Sequence, residues 1–469
     1  MRITLLGHAS ILVEMGGAVC LMDPVFYDPF EEGAVTSCPR RTVHPEKLPP
    51  IDLLVLSHRH PDHFDIASLS RLPRDCDAIC PADPLIIHAL RELGFARIHP
   101  VHTMAPISSG DFELYPTRSE AQVREFGMVF SDSSGVFWNQ VDSLLSAATI
   151  RGVAERFARV DLLFAMYASQ NFEFFESHAT SFPFESHRQN LETALRINPR
   201  MVAPGSAGFR FCGDHAWLNR FLFPISPRRF ADDLQLLAPH IAAQVMMPGD
   251  VFELSGGEVR YLPAASEVAL TNCDDGALIE FDPAAPIPDL NDPNPEGYSA
   301  DRMLQTIGQF IGHGLAEYAA RAYQGDDPLL RLYRQHRVRY EIVIVLPDTP
   351  AAPGTAASRQ RTSYRFEFGE GAVRITTGVQ SVRGEADMCH RIAASALVGW
   401  IERRKSFFYV RAYSRRSAML YEASANGGHV GLRPIMLPDL LMHYLLNVAA
   451  GSETAAKRRV DLELAALLL

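Results

Sequence analysis

The stretch His58-Arg59-His60-Pro61-Asp62-His63 follows residues 51–57, an apolar run with the pattern of a buried β-strand. It places three imidazoles and a carboxylate within six residues at the end of that strand. Such a group is costly to bury in an apolar core, whereas histidine and aspartate are common metal ligands. A polar loop closed by its own hydrogen bonds is the alternative. Four ligand-type side chains at this spacing favour a metal site.

The spacing of these ligands also indicates how two ions would share them. His58 and His60 alternate along an extended segment, so both side chains can point to one side. Asp62 and His63 follow where the chain turns toward a helix, so they can face a neighbouring second ion. Because a pair of ions can clamp reacting atoms or hold a small molecule between them, we expect one or two divalent metal ions here.

The composition of the chain excludes several other classes of protein. Its 469 residues are too many for one ordinary core, so two domains are expected. The net charge of −11 argues against a nucleic-acid-binding surface, which needs clustered lysine and arginine. The N-terminus lacks the pattern of a signal peptide, and no run of about 18 apolar residues predicts a membrane span. We therefore expect a cytoplasmic protein whose seven scattered cysteines are reduced thiols.

The order of the elements predicts two domains joined by a linker. Strand-like and helix-like stretches alternate over residues 1–281, with a long loop at 24–50. Residues 282–298 are rich in proline and are interpreted as a linker. Residues 299–469 are expected to form an α+β domain. In that domain the pattern predicts helices over 300–323 and 389–403 and strands over 340–346, 363–368, 372–377 and 406–413.

The hexapeptide resembles the signature of the metallo-β-lactamase superfamily. Gly7-His8-Ala9-Ser10 after the first strand and Asp23-Pro24 after the third agree with that resemblance. It implies an α/β fold, an αββα metallo-β-lactamase sandwich, over residues 1–281. It further implies that Asp142 bridges two metal ions, and the alternative for Asp142 is a helix N-cap. We assign catalytic roles to Asp62 and His8, and His8 is expected to line the site rather than bind metal.

Within the superfamily, the chain is most similar to CMP-N-acetylneuraminate hydroxylase. Residues 200–209 and Met246-Met247-Pro248-Gly249-Asp250 carry this resemblance. The C-terminal α+β domain is compatible with the same enzymes and, more loosely, with sterol-carrier-like domains. The hydroxylase has an N-terminal Rieske domain, and we expect no Rieske cluster here. The chain offers one Cys-x-x-His, Cys212 to His215, and no Cys-x-His to complete the ligand set. Any electrons would then come from a separate donor protein.

Two histidines that hydrolases of the superfamily carry are missing from the expected positions. One would follow the strand that ends near Arg118, where Glu120 is the candidate oxygen ligand. The alternatives for Glu120 are a solvated carboxylate or an ion-pair partner of Arg118. The other histidine would stand at Gly205-Ser206. The candidate substitutes for it are His178, His187 and His215, each of which is also typical of a surface or helix-start histidine.

The absence of these two histidine ligands changes both the metal and the reaction that we expect. A ligand set of His58, His60, Asp62, His63, Asp142 and Glu120 suits iron, with zinc or manganese as alternatives. The leading hypothesis is an O2-dependent non-haem iron oxygenase that hydroxylates a small organic substrate. A metal-dependent hydrolase of esters, lactones or phosphodiesters is the second, with Asp62 or a metal-bound hydroxide as base or nucleophile. A metal-stabilised binding protein is the third.

Overall fold

The structure is a computed structural model that divides into two compact units. The first unit contains residues 1–171, 181–283 and 460–469, and the second contains residues 172–180 and 284–459. Residues 460–469 pack with the first unit, although the sequence analysis assigned them to the C-terminal domain. The described residues are 1–121, 123–172, 174–175, 181–205, 208–273, 281–325, 327–348, 360–378, 386–418, 420–426, 429–434, 437–445 and 453–467.

The first unit is built on two β-sheets. The eight-stranded sheet contains, in spatial order, Glu258–Leu262, Val251–Ser255, Arg2–Gly7, Ser10–Met15, Ala18–Met22, Leu53–Val55, Asp77–Pro81 and Arg97–Val101. The seven-stranded sheet contains Ala242–Ala243, Met201–Gly205, Leu162–Met166, Gly135–Asn139, Phe126–Asp132, Phe112–Arg118 and Ile107–Ser109. Apolar side chains from both sheets form one buried cluster, so the sheets pack face to face.

Helices cover the outer face of each sheet. Ile66–Leu69 and Pro84–Glu92 pack on the eight-stranded sheet. Ala147–Arg156, Phe184–Ile197 and Pro227–Leu237 pack on the seven-stranded sheet. The result is the four-layer αββα sandwich that the sequence predicted. Most predicted elements match those observed, because both alternation and helical spacing are strong in this half of the chain.

The segment 24–50 carries more structure than a long loop. Val35–Ser37 pairs with Phe209–Phe211, and Arg40–Val43 pairs with Ala269–Cys273, both antiparallel. Pro45–Lys47 adds a short 3-10 helix. The prediction of a long loop missed these two short strands, because both pair with residues more than 150 positions away in sequence. Local periodicity carries no sign of such pairing.

The second unit contains a five-stranded mixed sheet. Its strands, in spatial order, are Val373–Thr377, Arg361–Phe368, Arg339–Val345, Met388–Ala393 and Ser414–Ala418. A separate hairpin joins Tyr421–Asn426 and His429–Pro434. The helices are Ala300–Gln309, Phe310–Leu315 (a π-helix), Ala316–Ala320, Arg321–Tyr323 (a 3-10 helix), Pro328–Gln335, Ala394–Ile401, Phe407–Ala412 and Leu440–His443. A last helix, Glu453–Ala466, ends in the first unit.

Two predictions in this unit were wrong. Residues 389–403 were predicted as one helix, but Met388–Ala393 is a strand whose side chains alternate between buried and exposed before the helix Ala394–Ile401 begins. Residues 406–413 were predicted as a strand, but Phe407–Ala412 is a helix. Ser406 caps it by accepting a hydrogen bond from the Tyr409 N–H at 3.3 Å. The N-cap and the packing override the β-propensity of the aromatic residues.

The proline-rich segment 282–298 is anchored to the second unit over much of its length. Asp292 is buried and accepts hydrogen bonds from both the N–H and the hydroxyl of Ser395. The Arg415 guanidinium donates to the Pro288 carbonyl at 2.9 Å, and Leu290 is buried.

Across the described residues, no helix combines the length and apolar character that a membrane crossing requires.

Candidate metal centre

The loops that follow three strands bring the candidate ligands together. Asp23 follows Ala18–Met22, the hexapeptide follows Leu53–Val55, and Asp142 follows Gly135–Asn139 in the other sheet. The first two strands are parallel neighbours, so their carboxyl ends lie at one edge of the sheet. Ligand sites in α/β proteins form at such carboxyl ends. The topology thereby brings residues distant in sequence into one polar cluster.

The distances between donor atoms place five predicted ligands in that cluster. His58 Nε2 lies 2.8 Å from His60 Nδ1 and 4.0 Å from Asp142 Oδ2. His63 Nε2 lies 3.3 Å from Asp142 Oδ2 and 3.8 Å from Asp62 Oδ2. Two groups of three have all ligand atoms within 4.8 Å of one another, namely His58, His63 and Asp142, and His8, Asp62 and His63. Asp142 therefore lies close to both His58 and His63.

Asp142 does not cap a helix. The following helix, Ala147–Arg156, is capped by Ser146, whose hydroxyl accepts from the Thr149 N–H at 3.2 Å. The side chain of Asp142 is 32% exposed, so this carboxylate stands at the open side of the cluster. His60 is also exposed, whereas His58 and His63 are fully buried.

Asp23 orients two of the imidazoles. Its carboxylate accepts hydrogen bonds from the Ser57 N–H, the Ser57 hydroxyl and His63 Nδ1 at 2.7, 2.6 and 2.9 Å. Because the Ser57 hydroxyl donates to Asp23, it accepts from His58 Nδ1 at 2.9 Å. Both rings therefore carry their proton on Nδ1 and turn Nε2 toward the cluster. Hydrogen bonds of this kind commonly orient metal-binding histidines.

The electrostatics of the cluster attract a positive charge to His63 Nε2. This atom is buried and makes no hydrogen bond. Burial opposes a charge on His63, but the carboxylates of Asp142 and Asp62 outweigh it and raise the pKa of His63 well above its usual value. Burial likewise opposes a charge on Asp62, yet His63 and His8 hold its pKa below the usual range. Burial and the neighbouring imidazoles lower the pKa of His58, which favours the neutral form of its ring.

Left-handed backbone surrounds the centre. His8, Asp23 and Val141 have φ values of 49°, 46° and 54°. This conformation is rare outside glycine, and for a β-branched residue such as Val141 it is a true outlier. Strained residues of this kind cost about 1–3 kcal/mol each and concentrate at functional sites.

The side chain of Arg41 holds the loops that carry His8 and Asp23. Its guanidinium is buried and donates to the Leu6 carbonyl at 2.7 Å and to the Val25 carbonyl at 2.6 Å. Leu6 lies two residues before His8, and Val25 lies two residues after Asp23. One side chain thus ties the two left-handed loops together.

Glu125, rather than Glu120, lies beside the centre. Glu120 is exposed, and neither of the two candidate metal groups contains it. Glu125 is partly buried and accepts from the Ser119 hydroxyl at 2.5 Å. Burial, with repulsion from Asp142, raises its pKa to about 7, although Ser119 and His63 act in the opposite direction.

The backbone explains this position of Glu125. The next residue, Phe126, donates its N–H to the Ser57 carbonyl at 3.4 Å, directly before His58. On the other side, the Ser119 hydroxyl accepts from the Leu144 N–H at 3.0 Å, two residues after Asp142. Glu125 is therefore held between the two loops that carry His58 and Asp142.

Two of the three candidate substitutes for the second missing histidine, His187 and His215, belong to neither candidate metal group. His187 Nε2 pairs with Asp233 Oδ2 at 2.9 Å, between helices Phe184–Ile197 and Pro227–Leu237. His215 is buried in a 3-10 helix, Gly213–Leu218, and neither candidate metal group contains it. His178 and Ser206 lie outside the described residues.

Sequence reasoning missed three contributors, namely Asp23 as an orienting group, Arg41 and Glu125. The Asp23-Pro24 pair after a strand offered a signal for the first of them. Arg41 lies in a segment without periodicity, so no local pattern predicts that this arginine is buried. The path of the chain between Glu120 and Glu125 determines which of the two side chains lies near the centre. The sequence does not predict that path.

Residues 2–142 match the family model described as a beta-lactamase superfamily domain. This part of the chain is a metallo-β-lactamase-fold domain. The match contains His8, the hexapeptide and Asp142. Residues 2–142 thus carry the metallo-β-lactamase fold, and this part of the chain contains residue groups able to hold metal ions. The narrower resemblance to CMP-N-acetylneuraminate hydroxylase stays a prediction.

Curated relatives match shorter stretches. An N-acyl-phosphatidylethanolamine-hydrolyzing phospholipase D 1 of Caenorhabditis elegans is 39% identical over 75 residues, which is 15% of this chain and 20% of the relative. A UPF0173 metal-dependent hydrolase of Aeropyrum pernix is 39% identical over 63 residues, which is 13% of this chain and 22% of the relative. The chain therefore spans about a fifth of the length of each of these two relatives.

Two solved structures that are similar to parts of this chain are enzymes of different activity. CmlA, a diiron beta-hydroxylase from Streptomyces venezuelae, is 19% identical with a TM-score of 0.39, over 56% of this chain and 54% of that chain. An isothiocyanate hydrolase from Delia radicum gut bacteria is 15% identical with a TM-score of 0.41, over 54% of this chain and all of that chain. At this level of similarity, neither structure indicates the activity of this chain.

Proposed function

We propose that the chain is a metalloenzyme with a two-ion centre that hydroxylates a small organic substrate with O2. His58, His60 and Asp142 would hold one ion, and Asp62, His63 and Asp142 would hold the other. The observation that carries the proposal is the carboxylate content of the cluster, in which Asp62 and Asp142 offer oxygen donors and Glu125 lies near enough to feel the charge of Asp142.

The donor atoms fit metal ions. His63 Nε2 is buried without a hydrogen bond and close to two carboxylates, as expected for an atom whose natural partner is a cation. The Nδ1 atoms of His58 and His63 donate to Ser57 and Asp23, so Nε2 is the atom that each ring would offer to a metal ion, which at His63 would take the place of the Nε2 proton. The mixed imidazole and carboxylate set suits iron, and zinc or manganese are the alternatives.

The chain's own residues would divide the remaining work. Iron ions, when bound, would supply the chemistry of O2 activation. Asp23 and Ser57 fix the orientation of two imidazoles, and Arg41 fixes the loops that carry Asp23 and His8. Glu125, with a pKa of about 7, is suited to hold or release a proton beside Asp142 at neutral pH.

Hydroxylation also requires a source of electrons. Insertion of one oxygen atom of O2 into a C–H bond reduces the other atom to water, so each turnover consumes two electrons and two protons. We propose that a separate electron-donor protein supplies the electrons. The substrate would enter from the exposed side of the cluster, where His60 and Asp142 reach solvent.

The test compares metal content with O2 consumption. Protein produced with iron and zinc both available should contain iron, and a chemical or protein reductant should then drive O2 uptake. Replacement of His60 by Ala should abolish that uptake, whereas replacement of the exposed His99 by Gln should not change it. Protein that takes up zinc alone and consumes no O2 with any reductant would contradict the proposal.

A metal-dependent hydrolase is the second candidate, because both curated relatives named above are hydrolases. The same ions would then lower the pKa of a bound water, and Asp62 would act as base. A panel of phosphodiesters, esters and lactones would distinguish the two activities. Turnover with zinc or manganese under anaerobic conditions, lost in His60→Ala, would favour hydrolysis, and an inactive panel would count against it.

A further inference from the structure

His8 is held against the metal cluster by the fold. It follows the strand Arg2–Gly7 in a left-handed conformation, at a register shift between that strand and Ser10–Met15. Gly7 has a φ of 120°, and a Cβ added to it would lie 2.3 Å from the Arg41 side chain. Only glycine fits there, and this geometry turns His8 toward Asp62.

The ring of His8 is enclosed on its other sides. It is buried, and Phe209 packs perpendicular to it with ring centroids 5.5 Å apart. A Cβ added to Gly208 would lie 3.2 Å from the His8 Cα, so that segment covers the His8 backbone closely. Its Nδ1 has no hydrogen-bond partner, and its Nε2 lies 3.1 Å from Asp62 Oδ2. The orientation of the ring is therefore set by this packing together with the contact between Nε2 and Asp62.

The spacing of His8 Nε2 matches that of a metal ligand. Ligand atoms about 2.0–2.1 Å from a tetrahedral ion lie roughly 3.3 Å from one another. The His8–Asp62, His63–Asp142 and His63–Asp62 distances are 3.1, 3.3 and 3.8 Å. His8, Asp62 and His63 also form one of the two groups whose donor atoms all lie within 4.8 Å.

We infer that His8 is a ligand of the second ion, together with Asp62, His63 and Asp142. This inference rests on the proposed two-ion centre. Without His8, the second ion has three protein ligands, and with His8 it has four, the number that closes a tetrahedral site. The first ion, with His58, His60 and Asp142, keeps an open position. The two ions are then unequal, with the buried one held tightly and the other free for substrate.

Cobalt-loaded full-length protein tests the assignment directly. In such protein, ring N–H protons of coordinated histidines give strongly shifted NMR resonances. His8→Gln should lose one shifted resonance and bind its tighter ion at least tenfold more weakly. The matched control is His187→Gln, since His187 is also buried and paired with an aspartate but lies outside the cluster. It should keep every resonance and both ions.

The alternative is that His8 only hydrogen-bonds Asp62. His8→Gln would then retain the full wild-type set of shifted resonances, and that result would overturn the inference while the two-ion centre stands. Wild-type protein that takes up no cobalt would overturn the centre and the inference together. If His8→Gln proves unstable, the variant Phe209→Leu tests the same assignment, because Phe209 packs against the His8 ring. This change should displace one shifted resonance of a coordinated ring, and unmoved resonances would contradict the assignment.

Discussion

Both units of the molecule bury histidine beside aspartate, and the two clusters differ in how the carboxylates are satisfied. In the second unit, Asp439 accepts from the Tyr340 hydroxyl, from His390 Nδ1 and from the Met442 N–H at 3.0, 2.9 and 2.9 Å. In the first unit, Asp142 lies 3.3 Å from His63 Nε2, and this atom, like His390 Nε2 in the second unit, makes no hydrogen bond.

The difference separates a structural pair from a metal site. His390 meets one carboxylate, which the protein already saturates, and both side chains are buried. His63 meets two carboxylates, one of which reaches solvent. Among the described residues, groups of three ligand-type side chains occur only in the first unit. The number of carboxylates and their unused acceptor capacity, rather than the presence of a His–Asp pair, distinguish the candidate metal centre from the structural pair.

The largest expected effect is on the stability of the second unit. Asp439→Asn removes the charge that His390 and Tyr340 face in the core, and loss of one partner from a buried pair costs about 3–5 kcal/mol. Hydrogen exchange followed by mass spectrometry should show faster exchange in peptides of the second unit, with metal uptake unchanged. The control is Asp387→Asn, whose partly exposed pair with Arg339 should contribute less than about 1 kcal/mol. If Asp439→Asn and Asp387→Asn changed stability equally, the structural role assigned to Asp439 would be contradicted.

The next effect is on metal affinity in the first unit. Asp142→Ala removes the carboxylate that approaches both His58 and His63. Loss of a group that only orients a ligand weakens metal binding by about 10- to 100-fold, so loss of a shared ligand should weaken it by at least about 100-fold. Competition with a chelator measures this effect. Asp111→Ala, at an exposed loop position, should behave as wild type. An unchanged affinity in Asp142→Ala would mean that Asp142 is not a ligand.

A smaller effect distinguishes the two glutamates near the centre. Glu125→Gln removes an acidic group that feels the charges of Asp142 and His63, and we expect about tenfold weaker metal binding, as for a group close to the ligands. Glu120→Gln changes an exposed side chain and should have no effect. The same chelator competition applies to both variants. The reverse order of effects would restore Glu120 as the ligand that the sequence suggested.

The smallest effect is a dependence of stability on pH. Burial opposes a charge on Asp439, but His390 and the hydrogen bonds outweigh it and hold its pKa well below the usual value. Its contribution is complete above the unfolded pKa of about 3.9 and is lost as pH falls toward the folded pKa. Between pH 7 and pH 3, this group should lose about 1 kcal/mol. Asp439→Asn should lack this part of the acid sensitivity, which chemical denaturation at the two pH values would measure.

The sequence predicted the layers of the first unit and most of its centre. His58, His60, Asp62 and His63 are close in sequence, so their proximity required no knowledge of the fold. The position of Asp142 followed from the resemblance, because it belongs to the opposite sheet and no local pattern connects it to the hexapeptide.

The features that escaped prediction depend on long-range packing. Arg41 reaches the carbonyls of Leu6 and Val25 from a segment that has no periodicity. Glu125 depends on the turn between two strands, and its raised pKa arises from burial and Asp142 rather than from its neighbours in sequence. In the second unit, the strand Met388–Ala393 is followed at once by the helix Ala394–Ile401. Both elements are largely apolar, so the sequence did not show where one ends and the other begins.

Anomalous diffraction at the iron and zinc absorption edges, from crystals of protein produced with both metals available, tests the central claim most directly. We predict two peaks at the iron edge, about 3.5–4 Å apart, on either side of the Asp142 carboxylate. One should lie against His58 and His60, and the other against Asp62 and His63. A peak at the zinc edge alone would contradict the iron assignment. The absence of any peak within reach of His63 Nε2 would contradict the metal centre itself.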